Sequence, residues 1–171
     1  LLWSEPLGQT WGGSLAWNCG SDLLAYTSSN ARRINFRIGA TGEEAHPAIT
    51  TTDPIDRLIF LPDGMLLALE GAQRLVLWDP NTGKALRRLG DGQMLLSGLD
   101  ISADGRTAAT FGLDRQLRFW DLPTGRLRHA WKIPGDVADV PGVNVWTDVA
   151  FAPDSQKLAL ATGVHGGAVL R

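Results

Sequence analysis

The chain has 171 residues, sixteen Lys and Arg against eighteen Asp and Glu, and a formal net charge of −2. With no run of like charge, it offers neither nucleic acid nor an anionic membrane the concentrated basic patch they need, so neither is an expected partner. The single cysteine, Cys19, leaves no intrachain disulfide and no cysteine-rich metal framework; it fits a reducing compartment, and the cytoplasm is the expected location.

In chain order, the first predicted strands cover 15–17, 23–26 and 34–36, with a turn at Gly20-Ser21-Asp22. A second group follows: Ile59-Phe60-Leu61, a Pro62-Asp63-Gly64 turn, a strand over 65–69, a turn at 70–73, and Leu75-Val76-Leu77-Trp78. The third is the clearest. Leu99-Asp100-Ile101 leads to the turn Ser102-Ala103-Asp104-Gly105, where Asp-Gly favours the positive φ of a tight hairpin. Strands over 107–111 and 116–120 flank a turn at 112–115, and 126–131 alternates with period two after Leu122-Pro123-Thr124-Gly125. The fourth group has Val149-Ala150-Phe151-Ala152, a Pro153-Asp154-Ser155 turn and a strand over 157–161, and stops at Val169-Leu170-Arg171. No stretch keeps a helical period, and four short strands in about 42 residues make one antiparallel sheet that cannot bury its faces alone.

The groups repeat. Leu77-Trp78-Asp79-Pro80-Asn81-Thr82-Gly83-Lys84 is echoed by Phe119-Trp120-Asp121-Leu122-Pro123-Thr124-Gly125-Arg126, 42 residues on, and Thr41-Gly42 ends a worn first copy with Arg37-Ile38 in place of Trp-Asp. Asp22, Asp63, Asp104 and Asp154 keep the same beat, spaced 41, 41 and 50. Such a period signals a repeat architecture. On these residues the chain resembles the WD-repeat family, and the resemblance implies an all-β fold of β-propeller blades, each a four-stranded antiparallel sheet. Residues 1–171 are expected to hold about four blades. Two readings stay open: Leu1-Leu2-Trp3 completes the sheet left open at Ala168-Val169-Leu170 and closes a ring, or the chain is a segment of a larger propeller, with self-association expected if the ring is incomplete. The Gly-His opening many family repeats is absent. The family's blade-stiffening hydrogen-bond set uses that His with an Asp before the Trp-bearing strand; only Asp114 matches that Asp, with Ala31 and Ala72 standing there in the first two copies. The blades are therefore expected to rest mainly on apolar packing.

No chemistry-bearing constellation emerges. There is no Gly-x-Ser-x-Gly elbow, and His46, His129 and His165 fall at different repeat positions without ligand spacing. Gly163-Val164-His165-Gly166-Gly167 lacks the Lys and helix of a phosphate loop and reads as the turn between second and third strands. Cys19 reads as a small packing residue, Trp78 and Trp120 as packed between blades, and Trp17 and Trp131 as core. Neither an enzymatic role nor a cofactor is expected.

The irregularity that carries function is the excess of nine residues between Asp104 and Asp154, which makes a long loop over 132–145 before the fourth copy's first strand. In a propeller, the loops leading into first strands share a face with those between second and third strands, and function sits on loops carried by a rigid scaffold. The expected function is a protein-interaction scaffold or adaptor, recognising proteins or peptides through Trp11, Asp91, Asp136, Val137, Asp139 and Asn144, with the Thr-rich 47–54 segment as a weaker candidate. The alternative is a ligand-binding or enzymatic propeller with polar groups converging on the axis.

Overall fold

Each turn closes on particular hydrogen bonds, and the strands follow from where the turns fall. The computed structural model describes residues 13–27, 31–90, 95–133, 146–164 and 167–170, and it is all-β there. Sheet one comprises β1 (Leu15–Trp17), β2 (Leu23–Thr27), β3 (Arg33–Ile38) and β4 (Ile49–Thr50). Sheet two comprises β5 (Ile55–Phe60), β6 (Leu66–Glu70), β7 (Arg74–Asp79) and β8 (Lys84–Leu89). Sheet three comprises β9 (Leu96–Ile101), β10 (Thr107–Gly112), β11 (Gln116–Asp121) and β12 (Arg126–Lys132). Sheet four comprises β13 (Trp146–Phe151), β14 (Leu158–Val164) and β15 (Gly167–Leu170), three strands among the described residues. Strands adjacent in sequence are adjacent in their sheet, the up-and-down order of β-propeller blades.

The chain divides into two compact units, Leu1–Arg88 and Leu89–Arg171. In the first, Ala25, Ile34, Phe36 and Ile49 of sheet one close on Ile55, Leu58, Phe60, Leu66 and Ala68 of sheet two, with Trp78 packed against them as expected. Ser14 Oγ ties the sheets by accepting the N–H of Leu58 at 2.8 Å. In the second unit, Ala109, Phe111 and Leu117 close on Val149 and Leu160. There β9 approaches β13 so closely that a Cβ on Gly98 would meet the Asp148–Val149 backbone at 3.2–3.3 Å. The Asp100 carboxylate accepts the N–H of Phe151 at 2.6 Å. Burying one such aliphatic or aromatic side chain contributes about 1.5–3 kcal/mol, so the sheets hold through their shared face.

The turn between first and second strands explains the recurring Asp. Asp63, Asp104 and Asp154 each accept, through Oδ1, the N–H two residues on, at 3.0, 3.0 and 2.9 Å. The next residue takes positive φ in each case: Gly64, Gly105 and Ser155, at 85°, 67° and 56°. Asp22 does not belong to this series. In sheet one the positive-φ residue is Ser21, at 56°, so Gly20 stands where the other copies have Asp. The capping passes to Asn18, whose Oδ1 accepts the N–H groups of Asp22 and Leu23, each at 3.1 Å, while its amide donates to Asp22 at 2.5 Å.

The Trp-Asp-x-x-Thr-Gly block is a turn between third and fourth strands. Asp79 accepts from Asn81 N–H at 2.9 Å and Thr82 Oγ1 at 2.7 Å; Asp121 accepts from Thr124 N–H at 2.8 Å and Thr124 Oγ1 at 2.7 Å. Gly83 and Gly125 then take positive φ, 67° and 75°. Trp120 is buried, as expected, and its indole N–H donates to Thr110 Oγ1 at 2.9 Å; Trp78 donates to Glu70 Oε1 at 3.0 Å. Polar links therefore supplement the apolar packing that the sequence suggests.

Four further expectations are corrected. Trp17 and Trp131 are 46% and 55% exposed, because each sits on an outermost strand, β1 or β12; Trp17 rests on Gly39, where a Cβ would come within 2.6 Å of its ring. Cys19 is exposed on its turn and is not a core packing residue. The turn expected over 163–167 does fall between second and third strands but is shorter, since Gly163 and Val164 belong to β14 and Gly167 to β15, with 165–166 outside the described residues. The period of two over 126–131 breaks at a β-bulge, where the register shifts between Phe119 and Trp120.

Thr110→Val leaves the buried indole N–H of Trp120 without an acceptor and should cost about 1–3 kcal/mol in urea denaturation; an unchanged midpoint refutes that role for the bond. The Thr124 hydroxyl and then the Arg128 guanidinium hold the Asp121 carboxyl down at about 2, against an ordinary 3.8. The ionised form is favoured by folding, so its stabilisation is present above 3.8 and is lost as pH falls from 3.8 towards 2. Asp121→Asn should therefore flatten the fall in melting temperature across that acid range and change its slope little near neutrality.

Candidate functional site

An up-and-down sheet places the connection into its first strand at the same end as the turn between its second and third strands. In the first unit this end is built as a stitched platform. Residues 51–56 run between two such turns and bond to both. Thr51 N–H donates to Arg32 C=O at 2.9 Å and Ile55 N–H to Ala31 C=O at 2.6 Å; Gly71 N–H donates to Pro54 C=O at 2.7 Å. Ala72 N–H donates to Asp56 Oδ2 at 2.5 Å, and Arg74 pairs with the Asp53 carboxylate. Thr51 Oγ1 bonds to Asp53 C=O at 2.8 Å and sets the segment's bend.

The turns beneath are built from residues in an uncommon conformation. Ala31 and Ala72 have φ of 53°, and Arg115 in sheet three has 62°. L-residues avoid this region because Cβ crowds the carbonyl oxygen. Here the N–H groups and carbonyls of these residues are held from outside, by Asp56 for Ala72 and by Ile55 for Ala31.

Electrostatics at this end are local. Asp56 is exposed as a residue, yet the oxygen that accepts from Ala72 lies against the turn; that desolvation raises its carboxyl above the ordinary range, opposed by the hydrogen bond. Glu70 is buried one residue before its turn, and burial raises its carboxyl, with the Trp78 hydrogen bond and the Arg88 charge opposing.

In the second unit, Leu113 N–H donates to Leu95 C=O at 2.8 Å and Ile133 N–H to Arg115 C=O at 2.9 Å, so the turn at 113–115 is likewise joined to the connections around it. Asp114, the expected stiffening residue, forms a two-point ion pair with the buried guanidinium of Arg118. That partner, together with the Gln116 N–H, holds its carboxyl below the ordinary range. Asp114 thus has an ionic partner four residues on, in Arg118.

The expected contact residues Trp11, Asp91, Asp136, Val137, Asp139 and Asn144 lie outside the described residues. The 47–54 candidate is divided: Ile49–Thr50 is strand β4, and only the residues after it join the stitched end. Pro47, Ile49 and Trp78 instead line a 280 Å³ groove with Asn81 and Thr82. Asp53, Asp56, Arg74 and Arg118 were not singled out from sequence, because their roles depend on cross-strand register. The one available signal was the i, i+4 spacing of Asp114 in the turn and Arg118 on the strand that leaves it. Among the described residues, no three His, Cys, Asp or Glu side chains converge to hold a metal, and no helix is long and apolar enough to cross a membrane.

Known proteins share this pattern. The chain is 39% identical over 92 residues to the WD repeat-containing protein SL1-17 of Schistosoma mansoni, covering 54% of the chain and 27% of that protein. It is 26% identical over 146 residues to WD repeat-containing protein 46 of Caenorhabditis elegans, covering 85% and 25%. The four repeats are WD repeats. A third relative, the U3 small nucleolar RNA-associated protein 21 of Saccharomyces cerevisiae, is 32% identical over 118 residues, 68% of this WD-repeat chain and 11% of that protein. The matched WD repeats thus span about a quarter or less of these relatives. No family model matches the chain.

Ala72→Gly removes the crowding at φ 53° while keeping the N–H that Asp56 accepts. The variant should gain about 0.5–1 kcal/mol in chemical denaturation; a loss of stability would show that the Ala72 methyl group contributes more than its strain costs.

Proposed function

We propose that this WD-repeat chain is a protein-interaction scaffold that presents the loop-lined ends of its sheets to other proteins. The observation that carries this reading is the stitching of residues 51–56 to the turns on either side. Four backbone N–H bonds and the Asp53–Arg74 pair fix those loops, so a partner meets a surface already ordered. Pre-ordering lowers the entropy cost of association, and rigid loops on a sheet framework are where recognition residues work best. Support also comes from the kinds of protein the chain resembles, two of which are named as WD repeat-containing proteins and one as associated with U3 small nucleolar RNA.

In the same reading the four repeats are blades of one module, a segment of a larger propeller, acting in the cytoplasm with protein or peptide partners. The segment that follows β12 adds a contact through Asp136, Val137, Asp139 and Asn144, and Trp11 and Asp91 are further contact residues in the same reading. Acidic side chains next to Val suit a partner presenting a basic rim around an apolar anchor.

Co-purification of the tagged natural protein from its own cells, read by quantitative mass spectrometry, tests the assignment. Asp136→Lys with Asp139→Lys should deplete the bound proteins about tenfold and leave the melting temperature unchanged. Retention of every bound protein by a fully folded double variant refutes the loop face as the contact.

A further inference from the structure

Strand β12 (Arg126–Lys132) is exposed along all seven residues, which no other strand with fully described burial is. It ends the order β12-β11-β10-β9, so one edge bonds to β11 and, among the described residues, the other edge is open. Antiparallel ladders alternate inward and outward backbone groups. Ile133 N–H donates inward to Arg115 C=O at 2.9 Å, which sets the phase. Trp131 and His129 then bond towards β11, and the N–H and C=O groups of Ala130 and Lys132 point to the open edge.

The bulge gives this edge its chemistry. Arg126 pairs with Asp121, His129 with Phe119 and Trp131 with Leu117, with one extra residue taken up between Leu127 and His129. Residues 117, 119 and 121 share one face of β11, so Arg126, His129 and Trp131 share it too, although plain alternation would put Arg126 opposite the other two. On that face His129 stacks on Trp131 at 5.9 Å and 14°, Trp131 meets the edge of Phe119 at 5.2 Å, and Phe119 meets Phe151 at 6.3 Å. The exposed pair is thereby anchored to the core of the second unit. The strand has no carboxylate. Arg128 is engaged by Asp121, whereas Arg126 and Lys132 have no ion-pair partner among the described residues.

We infer that β12 is a docking edge for an extended acidic segment of another protein, which adds as a further strand with an aromatic or aliphatic residue over Trp131 and a carboxylate opposite Arg126 on the same face, Lys132 adding positive charge on the other. Open backbone groups supply the pairing, and the side chains select the partner. A basic edge repels a basic strand and gives a neutral one no charge complement, so the residues that guard the edge against indiscriminate pairing also define what it admits. Two cations without an ion-pair partner among the described residues, on a chain of net charge −2, are too few for the phosphate neutralisation on which nucleic-acid affinity rests. This surface is separate from the loop-lined ends and does not depend on their assignment.

The test uses the 171-residue chain and a fluorescein-labelled peptide, Thr-Phe-Thr-Val-Thr-Glu-Thr-Glu, whose Phe, Val and Glu side chains share one face when extended. Anisotropy should show binding, which vanishes for the version with Lys in place of Glu, and amide exchange at Ala130 and Lys132 should slow in the complex. Ala130→Pro, which removes an outward N–H without touching the β11 ladder, and Arg126→Glu should each weaken binding at least about tenfold. Should the proline variant fail to fold, Arg126→Glu and Trp131→Ala carry the test. No binding to the folded chain, or binding indifferent to these changes, overturns the inference. So does preferential binding of an oligouridylate that quenches Trp131 without protecting the two amides, which would assign the edge to single-stranded RNA.

Discussion

A strand such as β6, buried at every residue from Leu66 to Glu70, can exist only where both faces of its sheet are covered. A four-stranded sheet of this size cannot supply that cover for itself, so the contact of one sheet with the next is the constraint on which the rest depends. It explains the small residues on the second strands. Ala25, Ala68 and Ala109 are fully buried where two sheets of one unit close on each other. It also explains the links at the first strands, Ser14 to Leu58 in one unit and Asp100 to Phe151 in the other: hydrogen bonds placed where two backbones approach and neither can reach water.

Outward from that contact the demands relax in order. The second strands are held on both sides and are mostly apolar. The fourth strands β8 and β12 are held on one side and carry Arg, Lys or His. The turns at one end are tight and self-capped by Asp, Asn, Ser or Thr, whereas at the other end the second–third turns are joined to the connecting segments. The division leaves the structural work in the turns nearest the repeated motif and frees the connections between sheets to carry recognition.

Strand positions and turns were legible in the sequence because both depend on local chemistry. Asp-Gly, Thr-Gly and alternating apolar residues specify their own conformation within four or five residues. The WD-repeat identity was legible for the same reason, since its marker residues are turn residues. What was hidden depends on register. Nothing near Asp114 announces that its carboxylate turns back to Arg118 on β11, and nothing near Glu70 announces that it accepts from Trp78. Trp131 read as core because its strand looked half-buried; its exposure comes from β12 being last in the sheet, a fact of topology. The one-residue bulge that brings Arg126 and Trp131 onto one face cannot be seen in the period of the strand at all.

The first sheet's turn has a wider consequence. Asn18 caps from two positions upstream of the place where the other three copies use Asp, and the backbone path is unchanged, down to the positive φ of Ser21. A mechanical duty has migrated along the chain while its effect has stayed put. Repeats under such selection can lose their marker letters one by one and keep their shape, because what is inherited is the satisfied amide and not the side chain that satisfies it. Over long divergence, kinship among these repeats will outlast the spelling by which they are recognised.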